Sequence, residues 1–97
     1  MKYLGLDLGS RTLGLAISDA LGMFARAYDT LRFENDDYDY AINETINICK
    51  KEGINEIVLG NPKHMNGDEG IRSQISYDFK KKIEEKSDIK VHLLDER

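Results

Sequence analysis

Asp7 stands in the run Leu4-Gly5-Leu6-Asp7-Leu8-Gly9-Ser10-Arg11, one acid set among leucines and glycines. A carboxylate near the centre of a sheet is expensive to bury unless a cation or hydrogen-bond donors meet it. A divalent metal would answer that need, and so would Arg11 or Ser10 close by. A structural carboxylate that accepts backbone donors from the following turn is the other reading. Gly9 and Gly14 remove side chains around Asp7, which lets a phosphate or a backbone come close. A second acidic pair, Asp95-Glu96, precedes Arg97 at the other end of the chain. From composition alone, Glu96 reads about equally as an exposed salt-bridge partner of Arg97. Arg11, Arg26, Lys63, His64 and Arg72 fall near expected loop or strand ends, and Lys80-Lys81-Lys82 falls on a helix, where it reads as a solvated face. Zinc is not indicated, since His64 and His92 are neither close nor paired and no cysteine pair exists.

The elements that must position these residues follow from periodicity. Leu4, Leu6 and Leu8 share one face of a strand, and Leu13, Leu15 and Ile17 repeat the period of two after a short turn, which predicts a β-hairpin with Asp7 on the opposite face. Residues 24–33 read as a third strand carrying Ala25, Ala27, Leu31 and Phe33 at alternate positions. Asp36 or Asp37 then caps a helix whose stripe is Tyr38, Ala41, Ile42, Thr45, Ile46 and Cys49, ended by Gly53. The short run Ile57-Val58-Leu59 predicts a strand buried on both faces and parallel to the first. Residues 61–70, with the only proline and two glycines, read as a functional loop. A second helix from about Ile71 carries Ile71, Ile75, Phe79 and Ile83, and a last strand covers residues 89–94, with Asp95-Glu96 just past its end.

The order is thus β-β-β-α-β-α-β, an α/β fold in which an antiparallel meander is extended by right-handed crossovers into a mixed five-stranded sheet. With the first strand central, the C-terminal ends of the first, fourth and fifth strands lie on one edge. That topology gathers Asp7, the loop after Asn61 and Asp95-Glu96.

The 97 residues make one domain, and a chain of this size buries roughly two-thirds of its unfolded surface. The net charge of −4 argues against a broad basic footprint, so a polyanion would have to be held locally. Cys49 is the only cysteine; it lies on the apolar stripe and reads as core, and its isolation fits a reducing cytoplasm. No apolar run reaches transmembrane length and no secretory segment opens the chain, so no membrane partner is expected.

Three segments together resemble the YqgF family of RNase H-like proteins. They are residues 6–19, from Leu6-Asp7-Leu8-Gly9 to Ser18-Asp19; Gly60-Asn61-Pro62-Lys63-His64-Met65-Asn66-Gly67; and Asp95-Glu96-Arg97. Members are described as Holliday junction resolvases and as nucleases that mature the end of pre-16S ribosomal RNA. The resemblance covers the whole chain and implies a cytoplasmic, metal-dependent phosphodiesterase with Asp7 and Glu96 as catalytic, metal-holding acids. It implies Mg²⁺ or Mn²⁺ as the cofactor, one ion or a pair about 4 Å apart, activating a water for in-line attack on phosphorus. Arg11 stands beside that acid, and Lys63, Asn66 and Gly67, with Arg97, match the family pattern and would line the substrate side. Structured RNA or branched DNA is the implied partner, with a homodimer expected on the resolvase reading.

Two departures stand out. Gly60-Asn61-Pro62 replaces the Gly-Leu-Pro usual in the family, a change expected to alter packing more than chemistry. The chain also stops at Arg97, where the family continues through a threonine-rich turn into a helix with a third acidic residue, so the expected fold lacks that final helix. The alternative function is a catalytically inactive nucleic-acid- or partner-binding module on the same scaffold. Sugar kinases and actin-like ATPases share the Asp-x-Gly hairpin, but they close a second domain over ATP.

Overall fold

In the computed structural model, residues 2–9, 11–18, 25–34, 37–62 and 67–96 are described; for Ala25, Asn61, Pro62, residues 67–72, Asp95 and Glu96 the description is of the backbone alone. The hairpin forms as its periodicity requires. β1 (Tyr3–Leu8) pairs antiparallel with β2 (Thr12–Ser18), setting Leu4 against Ile17, Leu6 against Leu15 and Asp7 against Gly14. Gly9 makes the turn, its N–H donating to the Thr12 carbonyl at 2.7 Å. A Cβ at Gly9 would stand 3.1 Å from Thr12 Oγ1 and 3.3 Å from its carbonyl oxygen, which is why a residue without a side chain sits there.

β3 (Ala25–Arg32) pairs antiparallel with β2, but its alternation changes phase. Leu15 is level with Asp29 while Ala16 is level with Ala27, so Tyr28 is an extra residue in a β-bulge. One alternating set through Ala27, Leu31 and Phe33 therefore does not hold: Ala27 is exposed, whereas Leu31 and Phe33 pack against the core. Tyr28 turns inward far enough to donate its hydroxyl to Glu52 at 3.3 Å.

α1 (Tyr38–Glu52) starts at Asp37, whose Oδ1 accepts the Tyr40 N–H, and it ends at Gly53 in the left-handed region with φ 70°. Its stripe of Ala41, Ile42, Thr45, Ile46 and Cys49 is buried as the spacing demands. β4 (Glu56–Pro62) runs parallel to β1, and β5 (Lys90–Glu96) parallel to β4, giving the sheet order β3-β2-β1-β4-β5. α2 (Gly67–Lys86) returns the chain between them.

Two boundaries and one burial pattern differ from the sequence reading. α2 begins at Gly67, not near Ile71; Asp68 and Glu69 fall in its first turn, where acids suit the helix dipole, and the flanking glycines had masked that start. β5 continues through Asp95 and Glu96, because Asn61 and Pro62 still offer it ladder partners. β4 is buried on one face only: Ile57 and Leu59 are fully buried, while Glu56, Val58 and Gly60 are half-buried.

The cause is layering. Leu4, Leu6, Leu13, Leu15, Ile57, Leu59 and Val91 point to the side on which α1 and α2 lie, meeting Ile42, Ile46, Phe79 and Ile83 in one core. Lys82 reaches Asp39 at 3.4 Å across the two helices, confirming that both cover the same face. Among the described residues no element covers the other face. β5 forms one edge of the sheet, and Glu84 of α2 accepts its outward Val91 N–H at 3.0 Å, which occupies an edge group that another strand could otherwise pair with.

Candidate functional site

Asp7 is the last but one residue of β1, and its neighbours in sequence point into the core, so its carboxylate stands on the uncovered face. It is exposed, and among the described residues nothing hydrogen-bonds or ion-pairs with it. The burial penalty expected from its apolar setting is not incurred, because the face it occupies is open to water. Arg11, in the turn beyond β1, is exposed too and does not pair with Asp7; its carbonyl accepts the Phe33 N–H at 2.9 Å. Ser10 lies outside the described residues.

Around Asp7 the sheet surface is low. Gly5, Gly14, Ala16 and Ala27 floor a shallow depression of about 340 Å³ that Asp7 and Thr30 border. A Cβ on Gly14 would meet the Asp7 Cβ at 3.6 Å, an ordinary contact, so glycine there leaves space and relieves no clash. Arg26 also lines this depression, toward the far end of β3.

Register places the backbone of Glu96. Leu6 is level with Leu59 and Leu59 with Leu93, so Asp7 is one step beyond that row, beside Gly60 and Leu94. Glu96 lies two residues past Leu94 and alternates with Val91 and Leu93, so it belongs to the same uncovered face as Asp7. Two strand spacings across and two residues along put the Asp7 and Glu96 Cα atoms about 12 Å apart, and Gly60 between them has no side chain. β4 ends at Pro62 and α2 begins at Gly67; Lys63, His64 and Asn66, between them in sequence, lie outside the described residues, as does Arg97. Gly67 is the first residue of α2. The Arg72 side chain is likewise outside the description.

Several residues are structural. Cys49 is buried, and desolvation pushes its thiol up to about 11, so it is no nucleophile at neutral pH. His92 is exposed and pairs with Glu56 at 2.9 Å. Lys80 and Lys82 are matched by Glu84 and Asp39 on the helix surface. The sequence reading missed Arg32. Thr12 is level with Arg32 and Gly14 with Thr30, so Arg32 shares the uncovered face with Asp7, two strands away. Its signal was alternation with the inward Leu31, legible only once β3 was aligned on β2.

Comparison with known proteins bears on the family and the fold. The model of the family described as "RuvX: Holliday junction resolvase" matches residues 1–97. A relative from Bacillus licheniformis named "Putative pre-16S rRNA nuclease" is 43% identical over 97 residues, all of this chain and 70% of the relative. Among solved structures, Thermus thermophilus RuvC in complex with a Holliday junction substrate superposes with a TM-score of 0.73 at 11% identity, covering 98% of this chain and 64% of that one. A ROK hexokinase from the same organism gives 0.64 at 19% identity, covering 98% of this chain but only 34% of that one. At those identities the structural likenesses speak for the fold alone. The sheet order and two covering helices are those of the RNase H-like scaffold, which the hexokinase shares as part of a longer chain.

Proposed function

The chain belongs to the RuvX family of Holliday junction resolvases, and on that premise we propose that it hydrolyses phosphodiester bonds in structured nucleic acid, with Asp7 and Glu96 as the acids that hold Mg²⁺ or Mn²⁺. The observation that carries this reading is the Asp7 carboxylate, exposed on the uncovered face and without a partner among the described residues, with Glu96 registered to that same face. A strand-borne carboxylate that only supported the hairpin would accept the turn's donors, and Asp7 accepts none among the described residues. Carboxylate oxygens are the donors hard cations take, so the residue types fit such an ion. A bound ion of this kind supplies an activated water and stabilises the leaving oxygen of an in-line displacement.

The chain's own residues do the rest. The floor of Gly5, Gly14 and Ala16 lets a sugar–phosphate backbone approach the Asp7 carboxylate without displacing side chains. Arg11, held at the turn, would meet the phosphate with a charge that no described residue pairs, and Lys63, Asn66, Gly67 and Arg97 would line the substrate. Since the protein is acidic overall, Arg11, Lys63 and Arg97 would carry the attraction for a polyanion. Among the described residues no helix is long and apolar enough to cross a membrane, and we take the site of action to be the cytoplasm, where nucleic-acid substrates are found. Residues 1–97 act as one domain in this reading, and cutting a four-way junction symmetrically would require two copies.

The deciding experiment offers a four-way DNA junction and a pre-16S rRNA end segment in Mg²⁺ or Mn²⁺. Cleavage of either by the chain, lost in Asp7→Asn, is expected, and the cut probe identifies the substrate class. Binding of a probe with no cleavage would overturn the nuclease reading in favour of a binding module.

A further inference from the structure

The corner of the sheet farthest from β5 holds two arginines that the internal pairing scheme leaves out. Arg32, the last residue of β3, is exposed, shares the Asp7 face through its level partner Thr12, and has no ion pair or hydrogen bond among the described residues. Arg11 is in the same condition, and its carbonyl's bond to the Phe33 N–H ties the β1–β2 turn to the end of β3. Lys2, Lys80 and Lys82, by contrast, all have carboxylate partners. Beside Arg32 opens a cleft of about 370 Å³ lined by Arg32, Phe33, Glu34, Asp37 and Tyr40. Phe33 is fixed edge-on against Tyr38, with ring centroids 5.9 Å apart, whereas Tyr40 is 45% exposed. A large aromatic left that open at the mouth of a cleft, next to a free guanidinium, is a stacking platform beside a phosphate clamp.

We propose that Arg32 and this cleft form a subsite for a nucleotide flanking the one at Asp7, the guanidinium holding its phosphate and Tyr40 stacking on its base. The proposal rests on the nucleic-acid reading above and extends it to a part of the chain that reading does not use. From strand spacing, the Arg32 Cα is about 12 Å from that of Asp7, a separation that a neighbouring stretch of the same strand spans. Glu34 and Asp37 repel a second phosphate from the cleft, so the phosphate lies on the sheet side of Arg32 and the base on the cleft side. There a carboxylate accepts amino or imino groups from the base edge, while one Asp37 oxygen is already engaged by the Tyr40 N–H.

The test is equilibrium binding of a fluorescent four-way DNA junction and of a pre-16S rRNA end segment, in chelator, across a salt series. It compares the unaltered chain with Arg32→Gln, Arg32→Lys, Tyr40→Ala and Tyr40→Phe, each checked by thermal melting. Loss of one phosphate contact should flatten the slope of log K against log salt by about 0.9, which is roughly an eightfold loss of affinity at 0.1 M salt. Arg32→Lys should restore most of both. Tyr40→Ala should weaken binding roughly tenfold or more, and Tyr40→Phe should not. An Arg32→Gln protein with unchanged affinity and slope would overturn the subsite while leaving the nuclease reading intact. An altered slope in a chain that cuts neither probe would uphold the subsite and overturn the nuclease. Failure of the unaltered chain to bind either probe would overturn both.

Discussion

The two faces of the sheet are built from the same strands to opposite purposes. Toward the helices, β1, β2 and β4 present Leu4, Leu6, Leu13, Leu15, Ile57 and Leu59, each at most 5% exposed. The other parity of those strands holds Gly5, Asp7, Gly14, Ala16 and Gly60 beside the larger Tyr3, Thr12 and Val58, none of them fully buried. On the first face size is what stabilises, because each methylene is matched by one from α1 or α2. On the second face small residues leave the surface open around Asp7, the proposed metal-holding acid, whose carboxylate has no partner among the described residues. Stability and function are therefore separable by strand parity, which makes the difference open to measurement.

The largest expected effect is Asp7→Asn, which should reduce cleavage more than about 100-fold, since even outer-shell partners of a catalytic metal are worth about 10- to 100-fold. Its melting temperature should stay at the unaltered value; a large drop would mean Asp7 belongs to the structural face after all. Next comes Ile57→Ala on the covered face, expected to cost about 3 kcal/mol in urea unfolding because the fully buried side chain leaves a cavity under both helices. A loss below about 1 kcal/mol would show that the covered face repacks freely.

Gly14→Ala tests the opposite face. The added Cβ stands 3.6 Å from that of Asp7, so stability should change by less than about 0.5 kcal/mol, while affinity for the cleaved probe falls several-fold. Equal binding by the variant would remove the case for an open floor. Smallest is Glu84→Gln at the β5 edge. The Val91 N–H, followed by the Lys80 ammonium, holds the Glu84 carboxyl below its ordinary value of 4.5. A folded-state value lower than the unfolded one stabilises above about pH 4.5 and is lost as the pH falls through the depressed value. Acid unfolding of Glu84→Gln should thus show a slightly shallower loss of stability as the pH falls below about 4.5, and identical acid limbs would deny the Glu84 charge any energetic role at this edge.

Much of this was legible in the sequence for local reasons. Period-two runs set the faces of β1 and β2, a stripe at spacings of three and four set α1, Asp37 and Gly53 set its ends, and the order of elements made β1 central. The start of α2 was hidden because Gly67 and Gly70 look like loop residues, while Asp68 and Glu69 act only through a dipole that exists after the helix forms. The phase change at Tyr28 was hidden as well, since a bulge is a relation between two strands and leaves no periodicity of its own.

What the sequence determined by itself was which residues share a face and in which order the elements come, because alternation and helical spacing are properties of the local backbone. It also placed Asp7 opposite the leucines and carried the three segments by which the family is recognised. Only the tertiary structure decided that the Asp7 face is uncovered, that Glu96 stays within the β5 ladder, and that Arg32 comes level with Thr12 at the same surface. Those facts depend on which strand lies beside which, at what register, and on where two helices settle, and these are fixed by packing across the sheet.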